Sequence, residues 1–237
     1  MNQIHPTALI GPDVELGTGN VVGPHVVLLG PLRVGDGNWF GPGVVVGTPP
    51  EIRGADHRAG WVEASGLGAV IGSRNVLRER VSVQQGSHEP TRVGDDCFVM
   101  TGAYIAHDGQ VGDGVTMASG AALAGHVVLG DRANLGMGVT VHQRRLVGPG
   151  AMVGMGAVVT RDLPPFVRAF GSPARVQGAN VIGMTRSGVA EEAAAAVARA
   201  YEAGRVPEAD EVDAALAGAF RWWAERAPER PVLPARV

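Results

Sequence analysis

From Ile4, a bulky apolar residue returns at every sixth position: Ile10, Leu16, Val22, Leu28, Val34, Phe40 and Val46 follow without a slip. The phase resumes at Ile71, Leu77 and Val83. It resumes again at Val93 and runs through Val99, Ile105, Val111, Met117, Leu123, Leu129, Leu135, Val141, Val147 and Val153 to Val159. Of these 23 registered positions, 13 are followed directly by glycine, so the inward residue and a tight corner recur together. A pattern of this kind predicts a flat-sided solenoid. A single coil cannot bury its own apolar residues, and stacking neighbours share one continuous core.

Two interruptions break the array, Thr48–Ala69 (residues 48–69) and Gly86–Arg92 (residues 86–92). Insertions in a repeat array become loops on one face, which is often the binding face. After Val159 the character changes, and from about Val189 the chain is rich in Ala and Glu. Glu191–Ala203 reads as a helix with Gly204 as its stop, and Asp210–Ala227 as a second carrying Leu216, Phe220, Trp222 and Trp223. So short a tail is expected to pack on the end of the solenoid and cap it.

Composition narrows the function classes. A net charge of −3 gives no basic stripe for nucleic acid. No apolar run approaches the roughly 18 residues of a membrane helix, and the first residues lack a signal-peptide pattern. With the single Cys97, these features predict a cytoplasmic protein without stable membrane insertion. All twenty basic residues are arginine, which bears on codon usage rather than chemistry. Of the seven histidines, His5, His25, His57 and His88 fall in loops or corners and read as surface bystanders. His107, His126 and His142 lie within the unbroken array, and the first two are about one coil apart.

The segment Tyr104-Ile105-Ala106-His107-Asp108 resembles the I-A-H-D stretch of the UDP-N-acetylglucosamine acyltransferases of lipid A biosynthesis, within the wider hexapeptide-repeat acyltransferases. The resemblance implies a left-handed parallel β-helix over residues 1–178 and a C-terminal α-helical cap over 179–237. The general rule for parallel crossovers would give the opposite hand. It also implies that His107 is the general base for the sugar 3-hydroxyl, supported by Asp108. An imidazole suits that task because it titrates near neutral pH. Leu123-Ala124-Gly125-His126 resembles the family's L-A-G-H, which places the Gly125 N–H in an oxyanion hole and His126 on the substrate. Val141-His142-Gln143 resembles V-H-Q, so His142 and Gln143 face substrate. Asn180 and Arg186 match the nucleotide-contacting positions, where a guanidinium fork suits phosphate.

Departures surround the acceptor sugar. Tyr104 and Gln84 stand where the family commonly has histidine, and Pro50-Glu51-Ile52-Arg53 only loosely represents its Q-D-L-K loop, leaving Glu51 and Arg53 as the sugar-contacting candidates. Met155 occupies the family's hydrocarbon-ruler position and predicts a medium acyl chain. Cys97, two residues before the inward Val99, reads as a core filler rather than a nucleophile.

The resemblance implies transfer of a (3-hydroxy)acyl group from acyl carrier protein to the 3-hydroxyl of UDP-N-acetylglucosamine or a related nucleotide sugar. The donor is the carrier's phosphopantetheine thioester, with no cofactor and no metal. It further implies a homotrimer with its sites between subunits. Two other readings compete: a CoA-dependent sugar acetyltransferase, and a zinc-binding β-helix hydratase. The second needs three converging histidines with a spacing that His107, His126 and His142 do not show.

Overall fold

The computed structural model describes residues 1–53 and 66–227. His57, most of the longer insertion and the tail beyond Ala227 lie outside the described residues. The rest winds into a β-helix with three flat faces of ten, eight and seven strands. Face A begins with Gln3–Ile4, face B with Leu9–Ile10 and face C with Val14–Leu16, and each coil visits the three in that order. Within the unbroken array each strand pairs in parallel with the one a coil later, as Tyr104 with Ala122 and Ile105 with Leu123. The winding is left-handed, as the resemblance implied. Most strands are only two or three residues long, so the strand twist behind the crossover rule has little length over which to act.

The registered residues form the core. Leu28, Val46, Val83, Ile105, Leu123, Val141 and Val159 stack inside face B, all fully or almost fully buried. Ile4, Ile10 and Leu16 are not buried, because the first coil has no neighbour above it. Corners contribute too. Buried Asn20, Asn38 and Asn75 form a ladder in which each side-chain carbonyl accepts the backbone N–H of the next coil, ending at Cys97. The Cys97 thiol is buried and donates to the Gly112 carbonyl at 3.2 Å, and burial pushes its pKa up to about 11. It fills space at the foot of the ladder.

Face A ends in an antiparallel pair, Val167–Phe170 with Arg175–Ala179. Three helices follow: α1 (Val181–Arg186), α2 (Glu191–Glu202) and α3 (Ala214–Arg226). The sequence pattern did not foresee α1. It placed the start of α3 too early, because the capping residue is Asp213, whose carboxylate accepts the Ala215 N–H. The buried Tyr201 hydroxyl donates to the Pro165 carbonyl, and the Phe220 ring packs 6.1 Å from that of Phe166. These contacts dock the helices on the last coils.

Candidate active site

The corners joining face B to face C carry most of the candidate residues. Residues 106–109, 124–127 and 142–145 lie one above another along this edge. Both insertions open here as well: residues 49–68 join Val45–Thr48 to Ala69–Ile71, and residues 85–90 join Ser82–Gln84 to Thr91–Val93. Asp108, His126 and Arg144 occupy equivalent left-handed positions with φ near +60°. Arg74, Arg80 and Arg132 do the same at other edges, so this backbone conformation belongs to the repeat rather than to the site.

Asp108 is fully buried and organises the edge. Its Oδ1 accepts the backbone N–H of Ser87, His88 and Glu89 at 2.9, 2.7 and 2.9 Å. Its Oδ2 accepts the Ser87 hydroxyl at 2.7 Å and the His107 Nδ1–H at 2.7 Å. Burial alone would push the carboxyl pKa up, but the hydrogen bonds from Ser87, Glu89, His88 and His107 outweigh it and hold Asp108 well below the usual carboxylate range. The ionised carboxylate can only accept, so His107 carries its proton on Nδ1 and presents the Nε2 lone pair outward.

The His107 ring lies directly over Gly125. A Cβ on Gly125 would fall 2.5 Å from the ring Cε1 and 2.6 Å from Nε2, so only glycine leaves room for the imidazole. Among the described residues, nothing accepts a hydrogen bond from the Gly125 N–H. A base with a free lone pair thus sits beside an unengaged backbone donor, an arrangement suited to acyl transfer.

His126 stands edge-on to His107 with ring centroids 5.2 Å apart, and its Nε2 lies 3.7 Å from Asp108 Oδ2. Burial holds its pKa below the ordinary imidazole value; the Asp108 charge opposes this, and Arg144 reinforces it. His142 and Gln143 are exposed on the next corner, where the Gln143 carbonyl meets His142 Nδ1 and Arg145 Nε. His107, Asp108, Gly125, His126, His142 and Gln143 are thereby brought to one edge.

Glu51 joins them through the two residues that depart from the family pattern. The Tyr104 hydroxyl donates to its carboxylate at 2.9 Å, and the Gln84 side-chain carbonyl accepts the backbone N–H of Glu51 at 3.2 Å and of His107 at 3.3 Å. Burial first, then the Glu51 hydrogen bond, pushes the Tyr104 pKa up. Gln84 is buried and so acts as a brace between the loop and the base. Arg53 is exposed beyond them.

Other predicted site residues lie elsewhere in the single chain. Met155 stands on the corner between faces A and B, 78% exposed, beside Met137 at 59%. Asn180 caps α1, accepting the Gly183 N–H and donating to the Gly150 carbonyl at the edge between faces C and A. Arg186 is exposed at the end of the same helix. A cavity of about 390 Å³ adjoins Asn180, Arg132, Phe166 and Trp222, at a different edge from His107.

Sequence reasoning missed His88. It was read as a bystander, yet its ring centroid lies 5.3 Å from that of His126 and its Nδ1 bonds the Ser87 hydroxyl at 2.9 Å. With Asp108 and His126 it forms a group whose donor atoms all lie within 4.8 Å of one another, a spacing a metal ion could span. The lone pairs do not converge, however. Asp108 Oδ2 already accepts from Ser87 and His107, and His88 Nδ1 faces Ser87. The cluster is arranged to hold protons rather than a cation.

Comparisons with known proteins point to one family. The chain is 42% identical over 207 residues to acyl-(acyl-carrier-protein)–UDP-N-acetylglucosamine O-acyltransferase from Brucella ovis, covering 78% of this chain and 72% of the relative. The chain belongs to that family. A family profile described as UDP-N-acetylglucosamine O-acyltransferase, domain 2, matches residues 162–219, the last coils and the helices. The solved UDP-N-acetylglucosamine O-acyltransferase from Moraxella catarrhalis is 27% identical with a TM-score of 0.67, covering 96% of this chain and 88% of that one. The enzyme from Bacteroides fragilis superposes with a TM-score of 0.80 at 24% identity, over 98% of this chain and 100% of that one, and speaks to the fold. The relatives are named for acyl transfer, a reaction to which the arrangement of His107 and Gly125 is suited.

Proposed function

We propose that this chain transfers a (3-hydroxy)acyl group of medium length from acyl carrier protein to the 3-hydroxyl of UDP-N-acetylglucosamine. The observation that carries the reading is the Asp108–His107 pair set over Gly125. His107 Nε2 takes the proton of the sugar hydroxyl as its oxygen attacks the thioester carbonyl. The Gly125 N–H faces the oxygen on which charge develops, and the imidazolium is stabilised by Asp108. Collapse of the tetrahedral intermediate expels the pantetheine thiolate, which takes a proton back from His107. No covalent enzyme intermediate and no cofactor enter these steps. His126, His142 and Gln143 line the same edge, and Glu51 and Arg53 approach the sugar from the insertion with Tyr104 behind them.

The positions of Met155, Asn180 and Arg186 favour a homotrimer. Met155 lies between two and three coils below the level of His107, roughly 13 Å along the axis, and on a different edge. A second copy that laid its A/B edge against the B/C edge would cover the exposed Met137 and Met155 and bring the ruler beside the acyl chain. In this reading the β-helix carries the chemistry and the three helices form the cap that contacts the nucleotide through Asn180 and Arg186. Among the described residues no helix is long and apolar enough to cross a membrane, which fits work in the cytoplasm with a soluble carrier protein. The CoA-dependent alternative finds no support in the relatives, whose donor is the carrier protein.

The test is transfer from a panel of 3-hydroxyacyl carrier proteins to UDP-N-acetylglucosamine, with His107→Ala as control. Transfer peaking at a medium chain and lost in the variant is the expected result. Full activity in His107→Ala would remove the base from the mechanism, and no transfer from any donor would remove the acceptor.

A further inference from the structure

His88 occupies a place that neither the repeat nor the family motifs assign. It sits in the short insertion, its side chain 73% exposed, while the loop that carries it is fixed by three successive backbone N–H groups on Asp108 Oδ1. That is rigid support for an exposed ring.

The hydrogen bonds also fix its tautomer. Ionised Asp108 accepts the Ser87 O–H, so the Ser87 oxygen is left to accept, and the hydrogen bond between it and His88 must be donated by His88 Nδ1–H. The neutral ring then carries its lone pair on Nε2. The same carboxylate locks His107 into the same tautomer directly. One buried anion therefore orients two imidazoles, one by contact and one through a serine. The second leaves its acceptor nitrogen free on an exposed ring whose centroid lies 5.3 Å from that of His126.

We propose that His88 is a specificity-determining residue whose Nε2 accepts a hydrogen bond from a hydroxyl group of bound substrate, with His126 holding the same hydroxyl from its other side. With the two ring centroids 5.3 Å apart, one hydroxyl oxygen between the rings lies within hydrogen-bond reach, about 2.8 Å, of a nitrogen on each. The hydroxyl belongs either to the acceptor sugar, at a position other than the one acylated, or to carbon 3 of the acyl chain. This inference rests on the acyltransferase reading above.

The experiment uses the full chain, UDP-N-acetylglucosamine, and two carrier-protein donors of equal length, one 3-hydroxylated and one not. His88→Ala is expected to raise one KM by roughly three- to tenfold, the worth of one neutral hydrogen bond, with kcat within about twofold. His88→Gln, whose carbonyl can take the place of Nε2, is expected to recover most of the loss. A change confined to the hydroxylated donor assigns the hydroxyl to the acyl chain; a raised KM for the sugar nucleotide with both donors assigns it to the sugar. Unchanged KM values overturn the proposal, and so does a fall in kcat alone, which would mean that His88 acts only through Asp108. If the unsubstituted chain transfers nothing, the acyltransferase reading fails instead. Calorimetric titration with UDP-N-acetylglucosamine and with a 3-hydroxyacyl pantetheine then tests His88 without turnover, and equal affinities in wild type and His88→Ala overturn it.

Discussion

The imidazole of His107 rests on the bare Cα of Gly125, with no room for a methyl group between them. The two residues lie on successive coils, where backbone hydrogen bonds hold the corners in register, His126 N–H to the His107 carbonyl at 3.1 Å among them. The Gly125 N–H and the His107 imidazole are thus set at a fixed separation by the coil spacing itself.

That contact makes Gly125→Ala a sensitive probe. Gly125 is not among the positive-φ residues, so its backbone accepts alanine, and the new Cβ acts mainly on the ring. We expect kcat to fall by about a hundredfold, as a displacement near 1 Å does at a reacting centre, while the melting temperature changes little. Steady-state kinetics with thermal denaturation checks both, and an unimpaired kcat would show that the ring has freedom to move aside.

Asp108→Asn should be costlier. An amide nitrogen in place of Oδ2 faces His107 Nδ1 as a donor, which forces the ring proton onto Nε2 and removes the base. Loss of the order of a thousandfold or more in kcat is expected. The pH dependence of stability changes too. Because the folded pKa of Asp108 is depressed, its ionised form contributes stability that is complete above about pH 5 and is lost as pH falls below about 4. Melting temperature followed from pH 7 to pH 2.5 should drop less steeply for the Asn variant than for wild type.

Tyr104→Phe deletes the hydroxyl that holds Glu51. A hydrogen bond to a charged group contributes about 1.5–3 kcal/mol, and exposure of Glu51 places the effect at the low end. The KM for the acceptor nucleotide should rise about tenfold with kcat nearly unchanged. A kcat effect of the same size would place Tyr104 at the reacting atoms instead.

Met155→Gly tests the ruler. If the exposed methionine closes the far end of an acyl groove in the assembled protein, its removal shifts donor preference toward longer chains by several carbons. A chain-length profile identical to wild type would assign Met155 to the surface alone.

The solenoid was legible because the hexad records burial locally: whether a side chain points inward depends only on its place within six residues. Gly125 and Asp108 were legible only through resemblance to known motifs, since nothing in the period distinguishes one corner glycine or aspartate from another. The separation of Met155 from His107 could have been counted. They are 48 residues apart, which is not a multiple of the eighteen that return the chain to the same edge. His88 offered no such signal, because it sits in an insertion where the count is lost.

The sequence alone therefore determined the stacked coils, the buried column and two of the three helices, which follow from periodicity and local patterning, and it carried the motif around His107 through resemblance. Only the tertiary structure decided that both insertions open at the edge carrying His107, that Asp108 gathers the Ser87–Glu89 loop, and that Tyr104 and Gln84 converge on Glu51. Those contacts join residues about 20 to 50 positions apart through side-chain hydrogen bonds. Their geometry exists only once the coils have stacked and set the loops against one another.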